Sequence, residues 1–181
     1  VDPEYWRSHI FSDAYEPGST FKAITAATVI DQGKATPLSH VTVPAREKFP
    51  NGTVINDAFP HPVYDYTLAG ALIDSSNVGL SKFGTQVDPA TRAEYLEHFG
   101  VGQKTAIGFP AEQSGLLRDP AKWDGATMYT TTFGQAFTVT PAQIAGAYQA
   151  LANDGKKIDL SLVESCTDAD GTVHEAAAPQ S

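Results

Sequence analysis

The chain has 181 residues, and its 21 acidic and 12 basic side chains give a formal net charge of -9 at pH 7. Hydrophobic residues make up 41% of the chain, enough for a packed core, which excludes disorder throughout. The acidic balance argues against nucleic acid or an anionic membrane as a partner, because both need a basic face. One cysteine, Cys166, excludes an internal disulfide or a cysteine metal cluster, and the five histidines lack the spacing of a zinc site.

Neither a membrane span nor a signal-peptide pattern is visible in the sequence. No apolar run approaches the roughly 18 residues of a membrane span, and no signal peptide is recognisable. The first residue is Val1 rather than Met. We therefore expect a piece of a longer protein, with any export signal or anchor outside the chain.

Apolar periodicity and capping signals predict the helices. Thr67 is a candidate cap, Asp88-Pro89 is typical of a helix start, and Thr140 with Gln143 forms a capping box. The predicted helices cover 18–32, 66–73, a segment from the polar break at 74–77 to about residue 85, 89–99, and 141–152.

The remaining segments are predicted to be loops and short strands. Prolines interrupt residues 34–66, which leave room for extended pieces at 41–43 and 53–55. Residues 101–125 are loop-like, 158–166 alternate like a strand, and Asp170-Gly171 indicates a hairpin turn. Core packing is the expected role of three aromatic residues in or next to the proline-rich stretch, Phe59, Tyr64 and Tyr66, and lining the cleft is the alternative. The chain should be mainly helical, with four or five helices and few strands.

The first chemical motif is Ser19-Thr20-Phe21-Lys22. Residues three apart share a helix face, so the Ser19 hydroxyl and the Lys22 amine lie within plausible reach. A serine needs a base to become a nucleophile, and burial or the positive helix end would lower the pKa of Lys22 enough for that role. A cap at Ser19 and a solvated Lys22 is the alternative, although a capping box would place Glu or Gln at position 22.

The second motif is Ser75-Ser76-Asn77, in the polar break between two predicted helices. Alone, it is better explained by a helix C-cap followed by an N-cap, since Ser and Asn favour both positions. Together with Ser-x-x-Lys, it matches two of the three signatures of penicillin-binding proteins and serine β-lactamases.

The surrounding residues make the resemblance to class B penicillin-binding proteins specific. Residues 15–22 resemble the active-serine segment of that family, and 75–79 resemble its second motif. Residues 99–116 resemble the loop between the motifs, and 132–145 resemble the segment that follows. Residues 54–58 are closer to the division-specific branch than to the elongation branch. We interpret residues 1–181 as a partial transpeptidase domain: the active-serine helix, the second-motif helices, the inter-motif loop and the start of the C-terminal sheet region.

The resemblance implies a D,D-transpeptidase that cross-links peptidoglycan in septal wall synthesis. Ser19 would form the acyl-enzyme, Lys22 would be the base, Ser75 would relay a proton, and Asn77 would hydrogen-bond Lys22 and the substrate. The implied partners are D-Ala-D-Ala stem peptides, β-lactam antibiotics and a membrane glycosyltransferase of the division machinery, with no nucleic acid and no metal or organic cofactor. The implied location is the extracytoplasmic face of the bacterial membrane, held by an anchor outside this chain.

The chain departs from the family at the third signature, Lys-Thr/Ser-Gly. Lys104-Thr105-Ala106 is not a substitute, because it lies in the inter-motif loop and has Ala106 in place of glycine. We expect the helical core of the α/β transpeptidase fold, with most of the central sheet missing. The segment alone should have little or no turnover and should expose an apolar face that makes it unstable or prone to associate.

Three other functions stay open from the sequence. A β-lactam hydrolase or sensor would use similar chemistry, but the chain has no Glu-x-x-Leu-Asn segment, and Ser76 stands where class A β-lactamases have Asp. A catalytically silent division-assembly module is opposed by the intact Ser19, Lys22, Ser75 and Asn77. An unrelated helical domain would need both motifs to occur by chance.

Overall fold

The structure, a computed structural model, describes residues 7–176. Helices dominate this part of the chain, as the sequence predicts. The α-helices are α1 (His9–Ser12), α2 (Lys22–Asp31), α3 (Leu68–Ile73), α4 (Asn77–Gly84), α5 (Pro89–His98), α6 (Thr127–Thr130) and α7 (Pro141–Ala152). Short 3-10 helices cover Gly18–Phe21, Pro120–Lys122 and Thr131–Phe133.

The strands form three separate antiparallel pairs in the described range. They are β1 (His40–Val43), β2 (Arg46–Lys48), β3 (Val54–Asn56), β4 (Tyr64–Thr67), β5 (Ser165–Thr167) and β6 (Val173–Glu175). β1 pairs with β4, β2 with β3, and β5 with β6. No sheet of more than two strands occurs among residues 7–176, in agreement with the expected absence of most of a central sheet.

Two central helices, α2 and α4, organise the core. One face of α2 packs on α3 and α4 through Val29, Leu80 and Phe83, all at most 1% exposed. Phe21 and Ile24 face α5, α7 and Phe137. On another side of α4, Val78 packs against the β-strands and the segment around residues 129–133. The starts of α2 and α4, where the two motifs lie, are therefore held from several directions.

Local capping chemistry explains where the helices begin. The side chain of Thr67 accepts from the Gly70 N–H, that of Asp88 from the Thr91 N–H, and that of Thr140 from the Gln143 N–H. Thr140 and Gln143 form the complete capping box that the sequence predicts. These three helix starts are confirmed.

Several boundaries differ from the prediction. The helix predicted at 18–32 opens as a 3-10 turn and becomes α-helical at Lys22. The helix predicted from Tyr66 begins at Leu68, because Tyr66 and Thr67 belong to β4 and pair with β1. The strand predicted at 158–166 is wrong: within the described residues it is confined to Ser165–Thr167, since alternation forms a strand only where a partner strand lies alongside.

Two aromatic residues are also placed differently from the expectation. Phe59 is 78% exposed and Tyr64 is 42% exposed, so the prediction of core packing is wrong for both.

The predicted turn at Asp170-Gly171 is confirmed, because it joins β5 to β6. Between residues 7 and 176, no helix combines the length and the apolar character that crossing a lipid bilayer requires.

Candidate active site

Ser19 lies exposed on a segment whose backbone is fixed from several sides. The Gly18 N–H donates to the Gly134 carbonyl at 2.8 Å. The carboxylate of Glu16 accepts from the Ala136 N–H at 2.9 Å, and the Tyr148 hydroxyl donates to the Thr20 carbonyl at 2.6 Å. Ser19 is therefore an exposed residue on a segment that hydrogen bonds hold from three sides, which limits the movement of a nucleophile.

Gly134 allows the segment 132–135 to pack directly against the backbone of the active-serine segment. Its φ is +81°, and a Cβ built on it would lie 1.9 Å from the Gly18 carbonyl oxygen. Any side chain here would push the backbone that carries Ser19. The glycine is required both by its left-handed conformation and by this close approach.

Lys22 is a buried amine, with 1% of its surface exposed. It donates to the carbonyl of Ser75 and, at 2.9 Å, to the Ser75 hydroxyl oxygen. Burial lowers its pKa from 10.5 to about 8, and the negative charge of Asp57 partly opposes this. Because about a tenth of such amines are uncharged at pH 7, Lys22 can accept a proton.

Ser75 occupies a strained backbone position between α3 and α4. Its φ is +54°, in the left-handed region that disfavours residues with a Cβ. The Ser75 N–H donates to Leu72 and the Ser76 N–H donates to Ala71, which is the Schellman arrangement normally completed by glycine. A serine in this position places its hydroxyl beside Lys22 at a cost in backbone strain.

Asn77 is the first residue of α4 and is half-buried. Its side-chain amide donates to the Asn56 carbonyl at 3.0 Å. The expected hydrogen bond between Asn77 and Lys22 is not among those formed by residues 7–176, because the Lys22 amine is directed to Ser75. The structure therefore joins Lys22 to Ser75 directly and places Asn77 at the adjacent helix start.

Asp57 is a site residue that the sequence reasoning missed. Its side chain is 7% exposed and accepts hydrogen bonds from Ser76 and from the first turn of α4. His61 contacts the same carboxylate at 3.0 Å. The resemblance of residues 54–58 to the division-specific branch was the available signal, but it does not indicate what the carboxylate touches.

The Lys104-Thr105-Ala106 sequence makes different contacts. The N–H and the hydroxyl of Thr105 donate to one carboxylate oxygen of Glu112, at 2.8 and 2.6 Å. Gln143 joins the same loop to α7 by donating to the carbonyls of Gln103 and Ser114. These bonds stabilise the inter-motif loop and do not involve Ser19, Lys22 or Ser75.

The arrangement suits acyl transfer by a serine. It offers an exposed hydroxyl, a buried amine one helical turn away with a lowered pKa, and a second hydroxyl that the same amine contacts. A hydroxyl, an amine with a lowered pKa and a second hydroxyl are the kinds of group that activation of a serine nucleophile needs. Among residues 7–176 no hydrogen bond joins the Ser19 hydroxyl to Lys22, whose amine is directed to Ser75.

Comparison with protein families agrees with this geometry. Residues 2–181 match the model of the penicillin binding protein transpeptidase domain. The chain therefore belongs to the penicillin-binding protein transpeptidase family.

Individual relatives and solved structures are similar over nearly the whole chain. The chain is 37% identical to penicillin-binding protein PbpB of Mycolicibacterium smegmatis over 93% of its length, and 32% identical to peptidoglycan D,D-transpeptidase FtsI of Escherichia coli K12 over 89%. It superimposes on crystalline penicillin binding protein 3 of Mycobacterium tuberculosis, complexed with aztreonam, with a TM-score of 0.87, at 34% identity and over 96% of the chain.

These relatives are considerably longer than the chain. It spans 26% of the M. smegmatis protein, 27% of the E. coli protein and 38% of the crystallised M. tuberculosis chain. The similarity therefore fixes the family and the fold of this portion, which is the helical part of the transpeptidase domain.

Proposed function

We propose that the protein is a D,D-transpeptidase that cross-links peptidoglycan stem peptides through an acyl-serine intermediate. The observation that carries this proposal is the buried Lys22 amine, which contacts the Ser75 hydroxyl one helical turn from the exposed Ser19. The names of the relatives support it, since they include peptidoglycan D,D-transpeptidases.

The first half of the reaction is acylation. The Ser19 hydroxyl oxygen attacks the carbonyl carbon of the D-Ala-D-Ala bond while uncharged Lys22 takes its proton. The main-chain N–H of Ser19, in the first 3-10 turn, is one donor to the oxyanion. Lys22 returns this proton through the Ser75 hydroxyl, which relays it to the nitrogen of the departing D-alanine, and the C–N bond breaks to leave the acyl-enzyme with Lys22 uncharged and Ser75 protonated.

The second half is transfer to an acceptor. The amine of a second stem peptide attacks the ester carbonyl, loses a proton to the Lys22–Ser75 pair, and displaces Ser19 with its hydroxyl restored. Asn77 orients the substrate amide at the start of α4. No step needs a metal or an organic cofactor. β-Lactams are inhibitors in this scheme because they imitate the donor and acylate Ser19.

The finer setting of the activity rests on the branch of the family that the chain resembles. From the resemblance of residues 54–58 to the division-specific branch, we infer a role in septal wall synthesis, on the extracytoplasmic face of the membrane and beside a division glycosyltransferase. The substrates lie in the cell wall, so the catalytic domain has to work outside the membrane. The proposed role in division and the proposed location both rest on the proposed cross-linking activity.

The test is covalent labelling of the full-length gene product that contains this chain. Benzylpenicillin should add to the peptide carrying Ser19, as seen by mass spectrometry. Ser19→Ala should abolish the adduct, whereas Thr20→Val, which removes the neighbouring exposed hydroxyl, should retain it. No adduct on Ser19 in the unmodified protein would refute the proposal, and rapid turnover of a chromogenic cephalosporin would favour a hydrolase.

A further inference from the structure

Asp57 forms a bridge between the β2–β3 hairpin and the second motif. One carboxylate oxygen accepts from the Ser76 hydroxyl at 2.7 Å, and the other accepts from the Val78 N–H at 2.9 Å. Ser76 is 2% exposed and itself accepts from the Gly79 N–H as the cap of α4. The carboxylate and the serine together satisfy main-chain donors that the first turn of a helix leaves free.

The backbone on which Asp57 stands is itself fixed. Its N–H donates to the Ala45 carbonyl at 2.9 Å, directly beyond the pairing of Arg46 with Asn56. The preceding carbonyl, that of Asn56, accepts from the Asn77 amide. Two consecutive hairpin residues therefore hold two consecutive residues of the second motif, Ser76 and Asn77.

The position also suits a negative charge. A carboxylate next to the first turn of α4 is stabilised by the positive end of the helix. With a side-chain exposure of 7%, Asp57 is largely shielded from water, and every bond to it is a charge-assisted bond of the stronger kind. The bridge is therefore buried and consists of charge-assisted hydrogen bonds of ordinary length.

From these contacts we propose that Asp57 is a positioning residue for acylation. It fixes Ser76 and the first turn of α4, so that Ser75 keeps its place beside Lys22 and Asn77 keeps its place for the substrate. This inference rests on the proposed transpeptidase function and deepens it. Asp57 itself touches neither the substrate carbonyl nor Ser19. It acts through the helix start that carries the second motif.

The charge of Asp57 gives the inference a readout that a purely structural residue would lack. Its negative charge keeps the pKa of Lys22 higher than burial alone would. The other titratable groups facing Asp57 are His61, Tyr66 and Asp74, the last two being joined by a 2.7 Å hydrogen bond. The ion pair of Lys82 with Glu47 lies further along α4.

The test compares Asp57→Asn with Asp65→Asn in the full-length gene product. Asp65 is a matched control, because it also contacts a histidine, His40, but is 68% exposed on β4. An amide has one acceptor oxygen, so Asp57→Asn cannot serve Ser76 and Val78 separately. The limiting rate of benzylpenicillin acylation should fall roughly tenfold, the value of one charge-assisted hydrogen bond.

The same experiment is run as a function of pH. Acylation needs uncharged Lys22, so its rate rises with pH through the pKa of Lys22. Without the Asp57 charge, the midpoint of that rise should move to lower pH, whereas Asp65→Asn should change neither rate nor midpoint. A folded Asp57→Asn protein with wild-type rate and midpoint, or an equal loss in Asp65→Asn, overturns the inference and leaves the labelling of Ser19 intact.

A second variant covers the case in which Asp57→Asn does not fold. Ser76→Ala removes one arm of the bridge and keeps the charge, so the limiting rate should fall severalfold with the midpoint unchanged. A wild-type rate in Ser76→Ala overturns the inference. If the unmodified protein itself is not acylated, the proposed function fails first, and the two failures are thereby distinguished.

Discussion

The helices α2 and α7 begin in opposite ways. α7 has a complete capping box: the Thr140 N–H donates to the Gln143 side chain at 2.6 Å, the Gln143 N–H donates back to Thr140, and Pro141 occupies the first turn. α2 continues from a 3-10 turn, no side chain of the described residues caps it, and its first residue is the buried cation Lys22. The caps stabilise the start of α7. At the start of α2, by contrast, burial of a cation near the positive helix end destabilises the charged form of Lys22, which favours loss of its proton.

The largest expected effect comes from removing the amine at the start of α2. Lys22→Met should lower the rate of benzylpenicillin acylation by about 10²–10⁴-fold, because a positioned base contributes that much. Lys34→Met, which replaces an exposed lysine just beyond the same helix, is the matched control and should react normally. A Lys22→Met protein that acylates as fast as the wild type would remove the contrast between the two helix starts.

The second effect is on stability. Because the folded pKa of Lys22, about 8, lies below its ordinary 10.5, the cost of burying the charged amine is fully present below pH 8 and disappears above pH 10.5. This difference corresponds to about 3 kcal/mol. Denaturant unfolding should show a wild-type free energy that rises between these pH values relative to Lys22→Met. If the free energies of unfolding of the two proteins changed in parallel with pH, burying the charged Lys22 amine would carry no energetic cost.

The third effect falls on α7. Gln143→Ala removes the capping box and leaves the carbonyls of Gly100, Gln103 and Ser114 without their common donor. Unfolding should become easier by about 2–3 kcal/mol, while the pH midpoint of acylation should stay unchanged. Gln86→Ala is an exposed control that should alter neither. A shifted midpoint in Gln143→Ala would show that α7 is not merely scaffold.

The smallest expected effect is a difference in stability between two variants of Ser75, the residue in the break before α4. Ser75→Gly and Ser75→Ala both lose the hydroxyl that contacts Lys22, but only glycine adopts the left-handed φ without strain. Ser75→Gly should therefore be about 1 kcal/mol more stable than Ser75→Ala, with equally slow acylation. Equal melting temperatures for the two variants would argue against stored strain at Ser75.

Local chemistry was readable from the sequence. The caps at Thr67, Asp88 and Thr140 satisfy donors within three residues of themselves, so they depend on little else. Ser19 and Lys22 likewise lie within one helical turn because of a local bond, that of the Lys22 N–H to the Ser19 carbonyl. Strand pairing was less accessible, since β4 forms only because β1 lies beside it.

The site needed information that no local pattern holds. The contact of Lys22 with Ser75 joins residues 53 apart, and only the family resemblance placed them together. The bridge from Asp57 to Ser76 depends on the hairpin, and the left-handed backbone at Ser75 is normally the place for a glycine. These features arise from tertiary packing rather than from residue spacing.

The pH dependence of Ser19 acylation tests the central claim most directly. The rate at which benzylpenicillin adds to Ser19 should be measured in the full-length gene product between pH 6 and pH 10. The account predicts a rate that rises with pH to a plateau, with a midpoint near the Lys22 pKa of about 8. A flat profile, or an adduct on another residue, would contradict it.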